Sequence, residues 1–168
     1  TILLLASCGN KEQVNEQPQK EDDTIKVFTT VYPLQYFTDR IGGNAVDVQS
    51  IYPAGADEHT FDPTQKDMMA LADSDLFFYI GLGLEGFVEN AEKTLKNEHV
   101  KLVATAEDIP EYMLGENDGH HDHEDVSDKH NHGAMDPHVW ISPVLSDALA
   151  YSIKEALIET APTKKEEF

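Results

Sequence analysis

Leu76-Phe77-Phe78-Tyr79-Ile80 is the stretch that most restricts the fold. An apolar run this short, set between Ser74-Asp75 and Gly81, cannot span a membrane, and it lacks the alternation of a strand with one wet face. It reads as a strand buried on both faces, so something must cover each face. The flanking sequence supplies it. Pro63-Thr64 opens a short helix reaching about Asp73, and Leu84, Phe87, Val88, Ala91 and Leu95 fall at helical spacing on the other side. Upstream, Lys26 to Val31 is β-prone. Pro33 suits the first turn of a helix carrying Leu34, Phe37 and Ile41, and Gly42-Gly43 suits its end. Val46 to Ile51 reads as a second strand and Val100 to Val103 as a fourth. Strand and helix in alternation predict an α/β fold, a parallel four-stranded sheet with flanking helices. Such sheets bind ligands beyond the carboxyl ends of their strands, which directs attention to the loop after Ile51.

With 168 residues, 40% of them apolar, one ordinary domain is expected. Its 12 Lys and Arg against 32 Asp and Glu give a formal charge of -20, which argues against nucleic acid or an anionic membrane surface as partner and suits cations. Two segments stand outside the folded pattern. Thr1 to Cys8 reads as the end of an export signal. Leu5-Ala6-Ser7-Cys8 resembles a bacterial lipobox, with Cys8 as the lipidation site, and residues 9–24 form a polar tether. Cys8 is the only cysteine, so a disulfide framework is excluded. From Gly115 to Ala134 the chain carries six acidic residues and five histidines but no aromatic, and it reads as a mobile insertion. Beyond it, Leu145, Leu149, Ile153 and Leu157 mark a final helix starting after Ser142-Pro143, which Pro162 should stop or kink.

Two histidines stand out by neighbourhood. His59 lies in Asp57-Glu58-His59-Thr60-Phe61-Asp62-Pro63-Thr64, between a strand and a helix start. His138 lies in Asp136-Pro137-His138-Val139-Trp140-Ile141-Ser142-Pro143, where two prolines restrict what reads as an extended segment. Imidazole suits zinc, copper, nickel and cobalt, whereas calcium and magnesium prefer oxygen. Zinc also wants support from a carboxylate or carbonyl on the other ring nitrogen, for which Asp57, Glu58, Asp62 and Asp136 are candidates. Trp140 and Phe61 are expected to pack around the site, and His99 to be an ordinary surface residue.

The segment from Gly55 to Thr64 resembles the Gly-x-Asp-x-His-x-Phe-x-Pro-Thr pattern of the cluster A-I solute-binding proteins, the zinc and manganese receptors of bacterial ABC importers. Asp136 to Pro143 matches their Asp-Pro-His-x-Trp-x-x-Pro in full. The resemblance covers about Lys26 to the C-terminus. It implies two α/β lobes joined by a long helix with the metal between them, so that residues 25–143 would be the N-terminal metal-binding lobe and 144–168 the start of the linking helix, truncated before the second-lobe ligands. His59 and His138 would be metal ligands and Zn(II) the bound ion. An ABC permease would be the membrane partner. The expected protein is a monomer held outside the cytoplasm on the bacterial cell membrane by a lipid on Cys8. A histidine and acid-rich loop is typical of the zinc members, so His120, His121, His123, His130 and His132 favour zinc over manganese and form an auxiliary metal loop. With half the ligand set, weaker and less selective binding than in a complete receptor is expected.

Three further readings compete, the first being a manganese-specific receptor of the same family. A surface zinc-buffering or adhesion protein would use the same loop without transport. A metallohydrolase is suggested by His121-Asp122-His123-Glu124-Asp125, which nearly matches the His-x-His-x-Asp-His ligand set of the metallo-β-lactamase superfamily. Val126 occupies the position of its last histidine, however, and no His-Glu-x-x-His helix is present, so no enzyme activity is expected.

Overall fold

The computed structural model describes residues 24–114 and 136–168. Four parallel strands, β1 (Ile25–Thr29), β2 (Val46–Ser50), β3 (Leu76–Tyr79) and β4 (Lys101–Ala104), lie in the order β2-β1-β3-β4. Helices α1 (Tyr32–Gly42), α2 (Gln65–Ala72) and α3 (Val88–Leu95) make the crossovers. They are followed by a single turn, α4 (Glu111–Leu114), and by α5 (Pro143–Thr160). The parallel sheet with flanking helices read from the sequence is therefore present. No helix among the described residues is long and apolar enough to cross a membrane.

The apolar run divides its side chains between two cores, as a strand's period of two requires. Leu76, Phe78 and Ile80 enter one cluster with Val27, Leu34, Leu149, Ile153 and Leu157. Phe77 and Tyr79 enter a second with Leu71, Phe87, Ala91 and Leu95. Helices α1 and α5 pack together over the first face, and α2 and α3 supply the second. Phe77, Phe78, Leu76 and Ile80 are fully buried, each worth about 1.5–3 kcal/mol relative to exposure.

Helix boundaries follow local chemistry. Pro33 lies in the first turn of α1, and Gly43 takes φ +49° at its end. Thr64 caps α2 through a reciprocal pair with Asp67: the Thr64 hydroxyl accepts from the Asp67 amide, while the Asp67 carboxylate accepts from the Thr64 amide at 2.8 Å. Helix α5 stops at Thr160, two residues before Pro162.

Two local expectations are corrected. Leu84 and Phe87 are buried but precede α3, which starts only at Val88, because Gly81, Leu82 and Gly83 all take positive φ and form a tight turn between β3 and the helix. The segment between the two prolines is not extended throughout. Val139–Ile141 forms a 3₁₀ turn, closed by Ile141 N–H donating to the His138 carbonyl at 3.2 Å. Cys8, the 9–23 part of the tether, and the insertion from Gly115 to Ala134 with its five histidines lie outside the described residues.

Candidate metal centre

The loop after β2 crosses the carboxyl edge of the sheet, and its shape is set by Asp57. One carboxylate oxygen of Asp57 accepts from the His59 and Thr60 amides, both at 3.0 Å, and from the Thr60 hydroxyl at 3.1 Å. This local turn competes successfully with helix or strand. It also holds the Asp57 carboxyl below the usual carboxylate range, the Thr60 hydroxyl contributing most and the His59 amide next. Asp57 thereby shapes the backbone at His59.

Behind this turn stands an aromatic wall. Tyr52 meets Phe61 edge-on at 5.0 Å, and Phe87 meets Phe61 at 5.8 Å and Tyr52 at 6.4 Å. The Tyr52 hydroxyl donates to the Glu58 carbonyl at 3.2 Å, tying the loop to the wall. Burial chiefly, then the negative charges of Glu85, Glu58 and Asp57, push the Tyr52 hydroxyl well above its ordinary value, so it remains a donor.

His138 comes from the other motif, immediately before the 3₁₀ turn that leads into α5. Asp136 Oδ1 accepts from the His138 amide at 3.0 Å and lies 2.7 Å from Nδ1 of its ring. These contacts, the amide first and the imidazole second, hold the Asp136 carboxyl below its usual range. With Nδ1–H engaged by the carboxylate, Nε2 is the nitrogen left to accept a metal. Trp140 packs edge-on against the imidazole at 5.3 Å.

The fold brings the two motifs together. The His59 and His138 rings lie 5.5 Å apart, nearly perpendicular, and one ligand atom from each of Glu58, His59 and His138 falls within 4.8 Å of the others. A tetrahedral zinc with bonds of about 2.0–2.1 Å spaces its donors about 3.3 Å apart, so closure requires shifts of about 1.5 Å at most. His59 is exposed, and Glu58 and His138 are half-buried. Two imidazoles and a carboxylate form a donor set that suits zinc and its borderline neighbours.

Of the four sequence candidates for supporting groups, Asp62 is exposed and is not among the three clustered donors, and the other three separate clearly. Asp136 contacts the imidazole, whereas Asp57 acts on the backbone, and Glu58 stands among the possible ligands themselves. Nothing in the sequence signalled that role for Glu58 except its place beside His59. Phe61 lies in the wall behind the loop, and His99 is exposed and apart. Sequence reading missed Glu85 altogether. Its carboxylate is buried just behind the loop, and burial pushes it up, opposed by hydrogen bonds from the Ile80 amide, the Thr30 hydroxyl and the Gly81 amide. The signal available was an acidic residue amid the apolar positions Leu84, Phe87 and Val88.

Comparison with known proteins places the chain in a family. The profile of the family described as zinc-uptake complex component A, periplasmic (ZnuA), matches residues 27–168. The high-affinity zinc uptake system protein ZnuA of Bacillus subtilis is 35% identical over 165 residues, covering 98% of this chain and 51% of that protein. The zinc-binding lipoprotein AdcA of Streptococcus pneumoniae is 32% identical over 167 residues, 99% of this chain and 31% of the relative. The crystal structure of the Zn(II)-bound ZnuA-like domain of S. pneumoniae AdcA superposes with a TM-score of 0.70 at 28% identity, covering 86% of this chain and 47% of that one. The chain thus spans about half the length of the B. subtilis relative and less than a third of AdcA. These relatives are named for zinc uptake and zinc binding, not for catalysis.

Proposed function

This chain belongs to the ZnuA family of zinc-uptake complex components, and we propose that it forms the N-terminal metal-receiving part of a zinc receptor for a bacterial ABC importer. The observation that carries the proposal is the convergence of Glu58, His59 and His138 donor atoms within 4.8 Å at the carboxyl edge of the sheet. His59 and His138 ligate Zn(II) through imidazole nitrogen, and Glu58 offers a carboxylate oxygen. Zinc in a closed site takes four ligands, so one position remains for water or for a donor outside the described residues. Two imidazoles favour zinc over manganese, which prefers an oxygen-rich shell.

In this reading α5 begins the helix that links two lobes, and residues 25–143 constitute the first of them. A lipid on Cys8 holds the receptor outside the cytoplasm, and the captured ion passes to a membrane permease without any covalent step. The histidines at 120, 121, 123, 130 and 132 form an auxiliary set that collects zinc weakly.

The test is a zinc titration followed by the imidazole resonances of individual histidines, run with and without residues 119–133. Deletion should lower the number of zinc ions bound while His59 and His138 continue to respond together. H59A and H138A should each abolish the shared response. A zinc response confined to residues 119–133, with none at His59 or His138, would refute the reading.

A further inference from the structure

We propose that Glu85 is the positioning residue of the metal centre, a buried carboxylate that fixes the loop carrying Glu58 and His59 without touching the metal. Glu85 is 5% exposed. Its Oε1 accepts from the Thr30 hydroxyl and from the Ile80 amide, both at 2.8 Å, and its Oε2 accepts from the Gly81 amide at 3.1 Å. Those three donors stand just past the ends of β1 and β3, the two central strands, where the backbone leaves the sheet. One side chain therefore ties both strand ends to the turn that follows β3.

The turn needs such a tie. Leu82 holds φ +56° between Gly81 at +84° and Gly83 at +80°. A left-handed leucine is sterically unfavourable and persists only where its surroundings over-determine it. The Glu85 carboxylate supplies that constraint from inside the turn.

The turn in turn supports the metal loop through the two residues after Glu85. Gly86 faces the His59 carbonyl, with room for no more than an ordinary contact: a Cβ added there would stand 3.5 Å from that oxygen. Phe87 packs on Phe61 and Tyr52, and Tyr52 holds the Glu58 carbonyl through its hydroxyl. Displacing residues 85–87 thus moves the backing of both Glu58 and His59, while His138 rests on Asp136 and α5. The expected consequence is asymmetric, with the His59 half of the centre disturbed and the His138 half preserved.

The inference rests on the proposed zinc site, and its test separates the two. Zinc affinity is measured on the 168-residue chain with Zn(II) alone, by the resonances of His59 and His138, for the unsubstituted protein, E85A, E85Q, T30V and L157A. Leu157 lies in the core of α5, away from the loop, and L157A controls for loss of stability alone. E85A should lower affinity at this site at least tenfold and shift the zinc-free His59 resonances, with those of His138 little changed. E85Q keeps one oxygen toward Thr30 and Ile80 but turns an amide toward the Gly81 N–H, so it should fall between. T30V, which removes one donor, should weaken zinc about threefold. L157A, measured where it is folded, should bind within twofold of the unsubstituted chain. If E85A is too unstable to fold, E85Q and T30V carry the same comparison. Normal zinc affinity in the folded Glu85 and Thr30 variants, or a loss no greater than in L157A, overturns the positioning role and leaves the zinc site standing. An unsubstituted chain whose His59 and His138 ignore zinc removes both.

Discussion

Asp136 grips His138 twice, its Oδ1 taking the backbone amide at 3.0 Å and lying 2.7 Å from the ring Nδ1. Two contacts to one oxygen fix both the chain direction and the ring angle of a residue that is otherwise only partly buried. Pro137 lies between the partners and restricts the intervening backbone. The imidazole is therefore oriented before any metal arrives, and its ordering entropy is already spent.

Removal of that support should weaken zinc binding without removing a ligand. D136A is expected to lower zinc affinity about 10–100-fold, the usual penalty for losing a carboxylate behind a ligating histidine. D136N keeps an oxygen acceptor and should lose less. Competition against a chelator of known affinity measures both, and an unchanged D136A would show that the carboxylate does not orient the ring.

Glu58 offers a different test, because its side chain and its backbone do separate things. The backbone carbonyl is held by Tyr52 whatever the side chain is, so E58A should leave the loop in place and subtract only a carboxylate. Zinc affinity should fall, by less than in H59A, and the His59 resonances of the zinc-free protein should stay where they were. Y52F is the complement: it loses one hydrogen bond, about 0.5–1.5 kcal/mol, and should reduce zinc affinity through the loop while every ligand remains. Equal affinity in E58A and the unsubstituted chain would confine the centre to its two imidazoles.

Thr64 belongs to the same sequence motif as His59 but performs another task. Its cap on α2 predicts that T64A destabilises the fold by about 0.5–2 kcal/mol, with zinc affinity unchanged at temperatures where the protein is folded. Denaturant unfolding with and without zinc separates these. A selective loss of zinc affinity in T64A would instead make Thr64 part of the centre.

The architecture was legible because it depends on patterns that survive averaging: a doubly buried run at Leu76–Ile80, glycines after Ile41, and apolar residues four apart from Leu145 to Leu157. Thr64 and Asp67 even mark their helix start by residue type. The start of α3 was not legible, since Leu84 and Phe87 obey helical spacing while three positive φ angles place them in a turn. The 3₁₀ turn at Val139 was hidden for a similar reason, as proline restricts the residues beside it but not those further away. At the site, the histidines could be found from local context, whereas the roles of Glu58 and Glu85 could not. Their parts depend on which strand ends and loops meet in space, and Glu85 joins Thr30 across 55 positions of sequence.

Glu85 also makes an expectation for pH. Burial raises its pKa above the ordinary value of 4.5, so the folded chain holds this proton more tightly than the unfolded chain. Where the folded state binds more protons, stability falls as pH rises. The contribution of Glu85 is therefore most favourable near and below pH 4.5 and diminishes as pH rises through the folded-state value. Its three hydrogen bonds limit the penalty of keeping the charge but do not reverse the direction. E85Q carries no titrating proton, so the stability difference between the unsubstituted chain and E85Q should shift toward E85Q as pH rises above 4.5. Urea midpoints for both chains, taken at intervals from pH 4 to pH 8 without metal, measure this. A difference that is flat over that range would mean that Glu85 titrates alike folded and unfolded, and that water reaches its carboxylate despite its place behind the metal loop.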